Sequence, residues 1–313
     1  MTLALGVVGA GSHSTRNHGP ALARVREAAP DRVALRAVCD LDAARASEYA
    51  DRFGFEATYA DHERMLDAES LDAVVAVTPI PATRAVAGDL LDRGVPTLVE
   101  KPPGASVAEA DELRRLGEAT PHAVSFNRRF NPAVERAREW LGSRPDPHLA
   151  VVRQRRVERF ESRFVTDTGI HPLDAVCSFL GRPTRVTVRG RRSRDRGGET
   201  RAATVGFDGA TADVTLAPDA GRHEETVELV GPGYTLSVDV ADAALTAHEG
   251  GERSLSWRSD AEEPWVRNGT LAETEAFLAA VESGDWTGLP SLADAYRSLR
   301  AAAAVRDGAT RDL

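Results

Sequence analysis

An apolar run that leads straight into a glycine turn constrains this chain more than any other feature. Leu3-Ala4-Leu5-Gly6-Val7-Val8 reads as a buried strand, and Gly9-Ala10-Gly11-Ser12-His13-Ser14 follows it, before a helical pattern through Leu22, Val25 and Ala29. Strand, glycine turn and helix in that order are the context of a dinucleotide-binding turn. Gly9 permits the tight turn. Gly11 lets the backbone approach a pyrophosphate at the helix start, with Ser12 and His13 in the same turn. Ser14 replaces a third glycine and is small enough for close packing.

The next strand, Val33 to Cys39, runs into Asp40. An acidic residue there is placed to accept hydrogen bonds from the adenosine ribose hydroxyls. Its charge opposes a 2′-phosphate and no arginine follows it directly, because Arg45 is on the next helix. NAD is therefore expected rather than NADP. Asp42 serves as N-cap of a helix from Ala43 to Phe53, which leaves Asp40 for the ribose. Strands and helices go on alternating: Leu71 to Val77 ends at Thr78-Pro79, and a helix from Pro81 through Leu91 follows. Thr97 to Val99 ends at Glu100-Lys101-Pro102, Ser106 to Glu109 is a capping box for a helix to about Ala119, and Ala123 to Phe126 is a further strand. This alternation predicts an α/β domain, a doubly wound parallel Rossmann sheet over residues 1–124, with Gly9, Asp40, Thr78, Pro79 and Lys101 at carboxyl ends of strands where ligands bind.

After Phe126 the pattern changes. A helix from Pro132 to Leu141 and a strand from Leu149 to Val157 precede the strands Arg185–Arg189, Ala202–Phe207, Ala212–Leu216, Glu225–Val230 and Tyr234–Val240. Asp208-Gly209 and Gly231-Pro232-Gly233 mark hairpins, and helices near Leu271–Glu282 and Ser291–Val305 end the chain. Residues 125–313 are expected to form an α+β domain with a mostly antiparallel, open sheet. Residues 194–199 read as a polar, glycine-containing loop.

Within this part, His171 opens a helix that runs to Gly181. Leu173, Val176, Cys177 and Leu180 make its apolar stripe, and Asp167 stands just before it. The helix start disfavours a cationic imidazole and the nearby carboxylate favours it, opposed effects that suit an acid–base group. The other histidines show no paired acid–base context as good. His171 with Asp174 lacks a third ligand, so no metal is expected. Of the 39 basic residues, Lys101 alone is lysine, the one compact ammonium with a tunable pKa.

The remaining composition mainly excludes. Two cysteines rule out a disulfide scaffold or cysteine zinc cluster, and a net charge of -9 argues against broad nucleic-acid binding. No apolar run approaches the ~20 residues of a membrane span, and Met1 to Val8 lacks a basic region before it, so a signal peptide is not expected and the chain reads as cytoplasmic.

Taken together, Gly9-Ala10-Gly11, Asp40, Thr78-Pro79, Glu100-Lys101-Pro102, Phe126-Asn127-Arg128-Arg129-Phe130 and Asp167-x-x-x-His171-Pro172-Leu173-Asp174 resemble the glucose–fructose oxidoreductase / inositol dehydrogenase (Gfo/Idh/MocA) family. Phe277, Ser283-Gly284 and Pro290-Ser291 with Asp294-Ala295 extend the resemblance over nearly the whole chain. It implies an NAD(P)-dependent dehydrogenase transferring hydride between a secondary alcohol or ketone of a sugar, cyclitol or related polyhydroxy compound and the dinucleotide. It implies catalysis by Lys101, Asp167 and His171 between the two domains, with Glu100 and Asn127 near the cofactor. It also implies a homodimer or homotetramer. Relatives that cleave glycosides or epimerise with a transient NAD step, or that only sense the dinucleotide, keep those alternatives open. The sequence departs from the family pattern in two places. Arg163-Phe164-Val165-Thr166 stands where glycines are common, and Thr78-Pro79 lacks the following asparagine and histidine. The run Arg153, Arg155, Arg156, Arg159 and Arg163 is either substrate-facing or a solvated or subunit-facing sheet surface.

Overall fold

The computed structural model describes residues 2–161, 163–193 and 199–313, so the loop expected at 194–199 falls, but for Glu199, outside the described residues. The chain divides into two units. The first comprises Met1–Phe126 with Glu263–Val266 and Thr270–Tyr296, and the second comprises Asn127–Glu262, Arg267–Gly269 and Arg297–Leu313. The return of 270–296 to the first unit is a feature the linear division at residue 125 does not contain.

In the first unit, strands β1 (Leu3–Val8), β2 (Val33–Cys39), β3 (Ala57–Tyr59), β4 (Ala73–Ala76), β5 (Thr97–Glu100) and β6 (His122–Ser125) form one sheet in the order β3-β2-β1-β4-β5-β6. Every pairing in it is parallel. β1, β4 and β5 are buried almost throughout, as strands covered on both faces must be. The order reverses between β1 and β4, which puts the crevice outside their carboxyl ends. Phe277 and Leu278, on the helix Thr270–Ser283, join the core built on β1 and β2.

Local chemistry explains the helices. Asp42 caps Ala43–Phe53 as expected, accepting from the amides of Ala44 and Arg45, and Gly54 closes it at φ +78°. Ser106 accepts from the amide of Glu109, but the Glu109 carboxylate reaches back to Ala105 rather than to Ser106, and the helix stops at Leu116. The helix after the glycine turn is broken. Ser12–Arg16 ends at Asn17, whose backbone leaves helical geometry, and His18–Ala28 begins anew. Strand β3 and the helix His62–Ala68 were not expected, both being too short to show a period.

In the second unit, β7 (Leu149–Arg155), β8 (Pro183–Ser193), β9 (Glu199–Phe207), β10 (Thr211–Ala217), β11 (Glu224–Gly231), β12 (Tyr234–Asp239), β13 (Ala244–Glu249), β14 (Glu252–Arg258) and β15 (Arg311–Asp312) form a sheet ordered β14-β13-β12-β11-β7-β10-β9-β8-β15. All its pairings are antiparallel except β7 with β10. Alternate residues of β9, β11 and β12 are buried, so one face is packed. The helix Ile170–Leu180 lies against β7 and β11 on that face. β13 and β14 extend the sheet beyond the strands expected from the sequence.

Candidate functional site

Gly9 ends β1 at φ +102°, with its amide 2.7 Å from the carbonyl of Cys39. A Cβ there would stand 2.1 Å from the carbonyl oxygen of Val77, so the residue has to be glycine. Gly11 is different: its φ is -68°, and an added Cβ would meet nothing within 4 Å. The backbone at Gly11 is bare toward open space, the condition for close approach of a ligand. Ser14 is fully buried and its hydroxyl donates to Tyr49, which is the close packing a small residue permits.

Gly9, Gly11, Ser12, His13, Asp40, Thr78, Pro79, Glu100 and Lys101 all line one cleft of about 330 Å³. Asp40 is fixed by backbone, Oδ2 accepting from the amide of Ala10 and Oδ1 from that of Asp42, both at 2.9 Å. A bare glycine backbone and a fixed ribose acceptor together fit a dinucleotide. Arg45 also lines the cleft, and its Nη1 lies 3.2 Å from Asp40 Oδ1. Arg45 is on the next helix as expected, and no arginine follows Asp40 directly, yet the first turn of that helix brings Arg45 back onto it.

Glu100, at the end of β5, is buried beneath the cleft. Its Oε1 accepts from His13 Nε2 and from His18 Nε2, each at 3.0 Å, and its Oε2 accepts from the Lys101 amide at 3.0 Å. Burial alone pushes this carboxyl up, and the two imidazoles outweigh it, holding Glu100 well below the usual carboxylate range. His13 and His18 therefore do have an acid partner, contrary to the reading that singled out His171. His62 has one too, 2.9 Å from Asp89.

His13, His18 and Glu100 bring ligand-type atoms within 4.8 Å of one another, yet their protons argue against a metal. Asn17 Nδ2 donates to the His13 carbonyl and to His13 Nδ1, which leaves the ring hydrogen on Nε2, pointing at Glu100. Nδ1 of His18 is buried with no hydrogen-bond partner. Metal on His18 Nε2 would force a hydrogen onto that nitrogen with nothing to receive it.

In the second unit, Asp167 ends the short helix Phe164–Asp167, and His171 is buried in the first turn of Ile170–Leu180. Gly169 between them admits no Cβ, which would come within 2.7 Å of Leu216 and of the Val165 carbonyl oxygen. Asp167 Oδ1 accepts from Arg163 Nε at 3.2 Å and from Thr166 Oγ1 at 3.1 Å. Gln154 Nε2 donates to the carbonyl of Thr168 and lies 3.4 Å from Glu225, tying the loop to the sheet. Asp174 is engaged elsewhere, in a bidentate pair with Arg129 at 2.7 Å and a hydrogen bond from Ser298, which removes it from any metal set with His171.

Asn127 belongs to this unit, and its carboxamide oxygen accepts from Arg128. The arginine run is mostly structural. Arg155 pairs with Glu224, Arg156 with Glu225, Arg159 with Glu161 and Arg163 with Asp167. Spacing alone does not reveal those acidic partners, because two of them lie on β11, far along the chain.

A parallel sheet of this order with a glycine-turn cleft defines a dinucleotide-binding fold of Rossmann type. Residues 3–127 match the Gfo/Idh/MocA oxidoreductase family, NAD-binding Rossmann fold, and residues 136–237 match the Gfo/Idh/MocA C-terminal domain. The chain belongs to this family of NAD(P)-dependent dehydrogenases. Among its relatives, inositol 2-dehydrogenase 1 of Saccharopolyspora erythraea is 30% identical over 99% of this chain and 94% of that protein. D-xylose 1-dehydrogenase (NADP(+)) 2 of Haloferax volcanii is 30% identical over 80% of this chain and 82% of its own length. The fold matches levoglucosan dehydrogenase in complex with NADH and L-sorbose at TM-score 0.87, with 18% identity over 100% and 99% of the two chains. It also matches an Agrobacterium radiobacter oxidoreductase in complex with NAD+, L-tartaric acid and magnesium at TM-score 0.81, with 22% identity over 100% and 98%. Among the described residues no helix is long and apolar enough to cross a membrane.

Proposed function

We propose that this protein oxidises a secondary alcohol of a sugar, cyclitol or related polyhydroxy compound, or reduces the corresponding ketone. The observation that carries this reading is the cleft itself. It joins a bare Gly11 backbone, a fixed Asp40 and the single lysine of the chain, Lys101, in one cleft. Bound dinucleotide supplies the hydride acceptor. The chain supplies the rest: Lys101 donates from its ammonium to the reacting oxygen and stabilises the developing alkoxide. His171 takes the hydroxyl proton; its Nδ1 is enclosed by protein, which leaves Nε2 as the nitrogen that exchanges it. Asp167, held by Arg163 and Thr166, orients and tunes these groups. Glu100 is no base here: a carboxylate that accepts from both His13 and His18 is too weakly basic to take the proton.

Self-association through the nine-stranded sheet, as a dimer or tetramer, and action in the cytoplasm complete the reading.

The test begins with titration of the purified protein with NADH, followed by a screen of polyols with NAD+ for net NADH formation. Lys101→Met should bind NADH within a few-fold of wild type and lose about 10²–10³ in kcat/KM. Turnover that releases no net NADH would point instead to glycoside cleavage or epimerisation. Unchanged turnover in Lys101→Met would remove the lysine from the mechanism.

A further inference from the structure

Asp40 and Arg45 share one wall of the glycine-turn cleft, and together they bear on which dinucleotide the site admits. Asp40 cannot turn away, because two backbone amides hold its two oxygens, those of Ala10 and Asp42. Each oxygen keeps a second lone pair, and Arg45 Nη1 approaches both, at 3.2 Å and 3.5 Å. Nη2 of Arg45 lies 3.3 Å from Asp42 Oδ2. The Arg45 side chain is 49% exposed and that of Asp42 50%, whereas Asp40 is 9% exposed. The guanidinium is therefore the movable member of the set and Asp40 the fixed one.

A carboxylate alone suits a ribose diol and repels a 2′-phosphate; a guanidinium fork suits the phosphate, which it can grip with paired donors. Here both groups stand together. With Arg45 on Asp40, the charge a 2′-phosphate would meet is largely cancelled. With Arg45 swung off Asp42, its donors become available to that phosphate. Asp40 and Asp42 against Arg45 still leave a net negative charge, which keeps the unphosphorylated ribose preferred.

We propose that Arg45 makes this cleft accept NADP as well as NAD, turning from Asp42 to the 2′-phosphate while Asp40 serves the ribose of NAD. The proposal rests on the cofactor reading above and adds to it the residue that sets discrimination.

The experiment compares fluorescence titrations of NADH and NADPH on the intact protein at one fixed ionic strength. Wild type should bind both, NADH the tighter. Arg45→Gln should raise the NADPH/NADH Kd ratio by about tenfold or more, the scale of one charge-assisted hydrogen bond. It should also flatten the salt dependence of NADPH binding. Asp42→Asn keeps a helix-capping side chain while removing the competing charge, and should lower the ratio by a few-fold. Because Asp42→Asn leaves Arg45 in place, it decides the matter even if Arg45→Gln folds poorly. An unchanged ratio in both variants, or NADH binding with none of NADPH, overturns the role of Arg45 and leaves the cofactor reading intact. A folded protein that binds neither overturns that reading, and the proposal with it.

Discussion

Gly9 and Gly11 sit two residues apart and should fail in opposite ways when given a methyl group. At Gly9 the new Cβ would stand 2.1 Å from the Val77 carbonyl oxygen, and φ is +102°. The backbone strain costs about 1–3 kcal/mol. Relieving the overlap by shifting β1 against β4 adds roughly 1–3 kcal/mol more. The shift is resisted, since Val77 N–H donates to Val8 at 2.7 Å and Gly9 N–H donates to Cys39 at 2.7 Å. Gly9→Ala should therefore lose about 3 kcal/mol or more of a total stability of ~5–15 kcal/mol. At Gly11 the backbone is ordinary and the methyl group would meet nothing of the protein. Gly11→Ala should change stability by less than about 1 kcal/mol, yet raise the Kd for NADH by about tenfold or more, since the methyl group occupies the space left for the pyrophosphate. Urea unfolding followed by circular dichroism reads the first quantity and NADH fluorescence the second. A Gly11→Ala protein that binds NADH like wild type would refute the ligand approach at this turn. A Gly9→Ala protein of wild-type stability would refute the packing argument.

Three further outcomes follow from the second unit. Asp174→Asn, at a fully buried position, leaves the partly buried Arg129 with half its ion pair and should destabilise by about 3 kcal/mol, read by urea unfolding; a loss below ~1 kcal/mol would show that the pair is not structural. His171→Gln should lower kcat/KM by about 10²–10⁴ while leaving NADH affinity near wild type, and equal losses in both would assign His171 to folding instead. Burial pushes the Glu225 carboxyl up, but Arg128, Arg156 and Gln154 hold it below the usual range. The stability it contributes is full above the unfolded glutamate pKa of about 4.3 and is lost as pH falls toward the lower folded value. Glu225→Gln should thus flatten the fall in stability between about pH 5 and pH 3, and parallel slopes for the two proteins would refute the assignment.

Local patterns carried much of this molecule. A run such as Leu3–Val8 followed by glycines specifies a buried strand and a tight turn by sterics alone, so the alternation of strands and helices, and Gly9, Asp40, Thr78 and Lys101 at strand ends, were legible, although the short β3 was not. Asp42 as a cap and the amphipathic helix before Gly181 were equally local. Strand edges β13 and β14 were not legible, because short polar strands such as Glu252–Arg258 carry little apolar alternation and exist through pairing with a neighbour.

Nor could the chain by itself say what each charged group faces. His13 and His18 reach Glu100 across more than eighty residues, Arg156 finds Glu225 on a neighbouring strand, and Asp174 is claimed by Arg129 and Ser298. Arg45 lies within a few residues of Asp40, but only the turn of the helix aims it back. Sequence determines backbone propensity and burial, which depend on near neighbours. Tertiary structure decides ion pairs and proton positions, because a charge is satisfied by whatever the fold brings within about 3 Å, wherever in the chain it comes from.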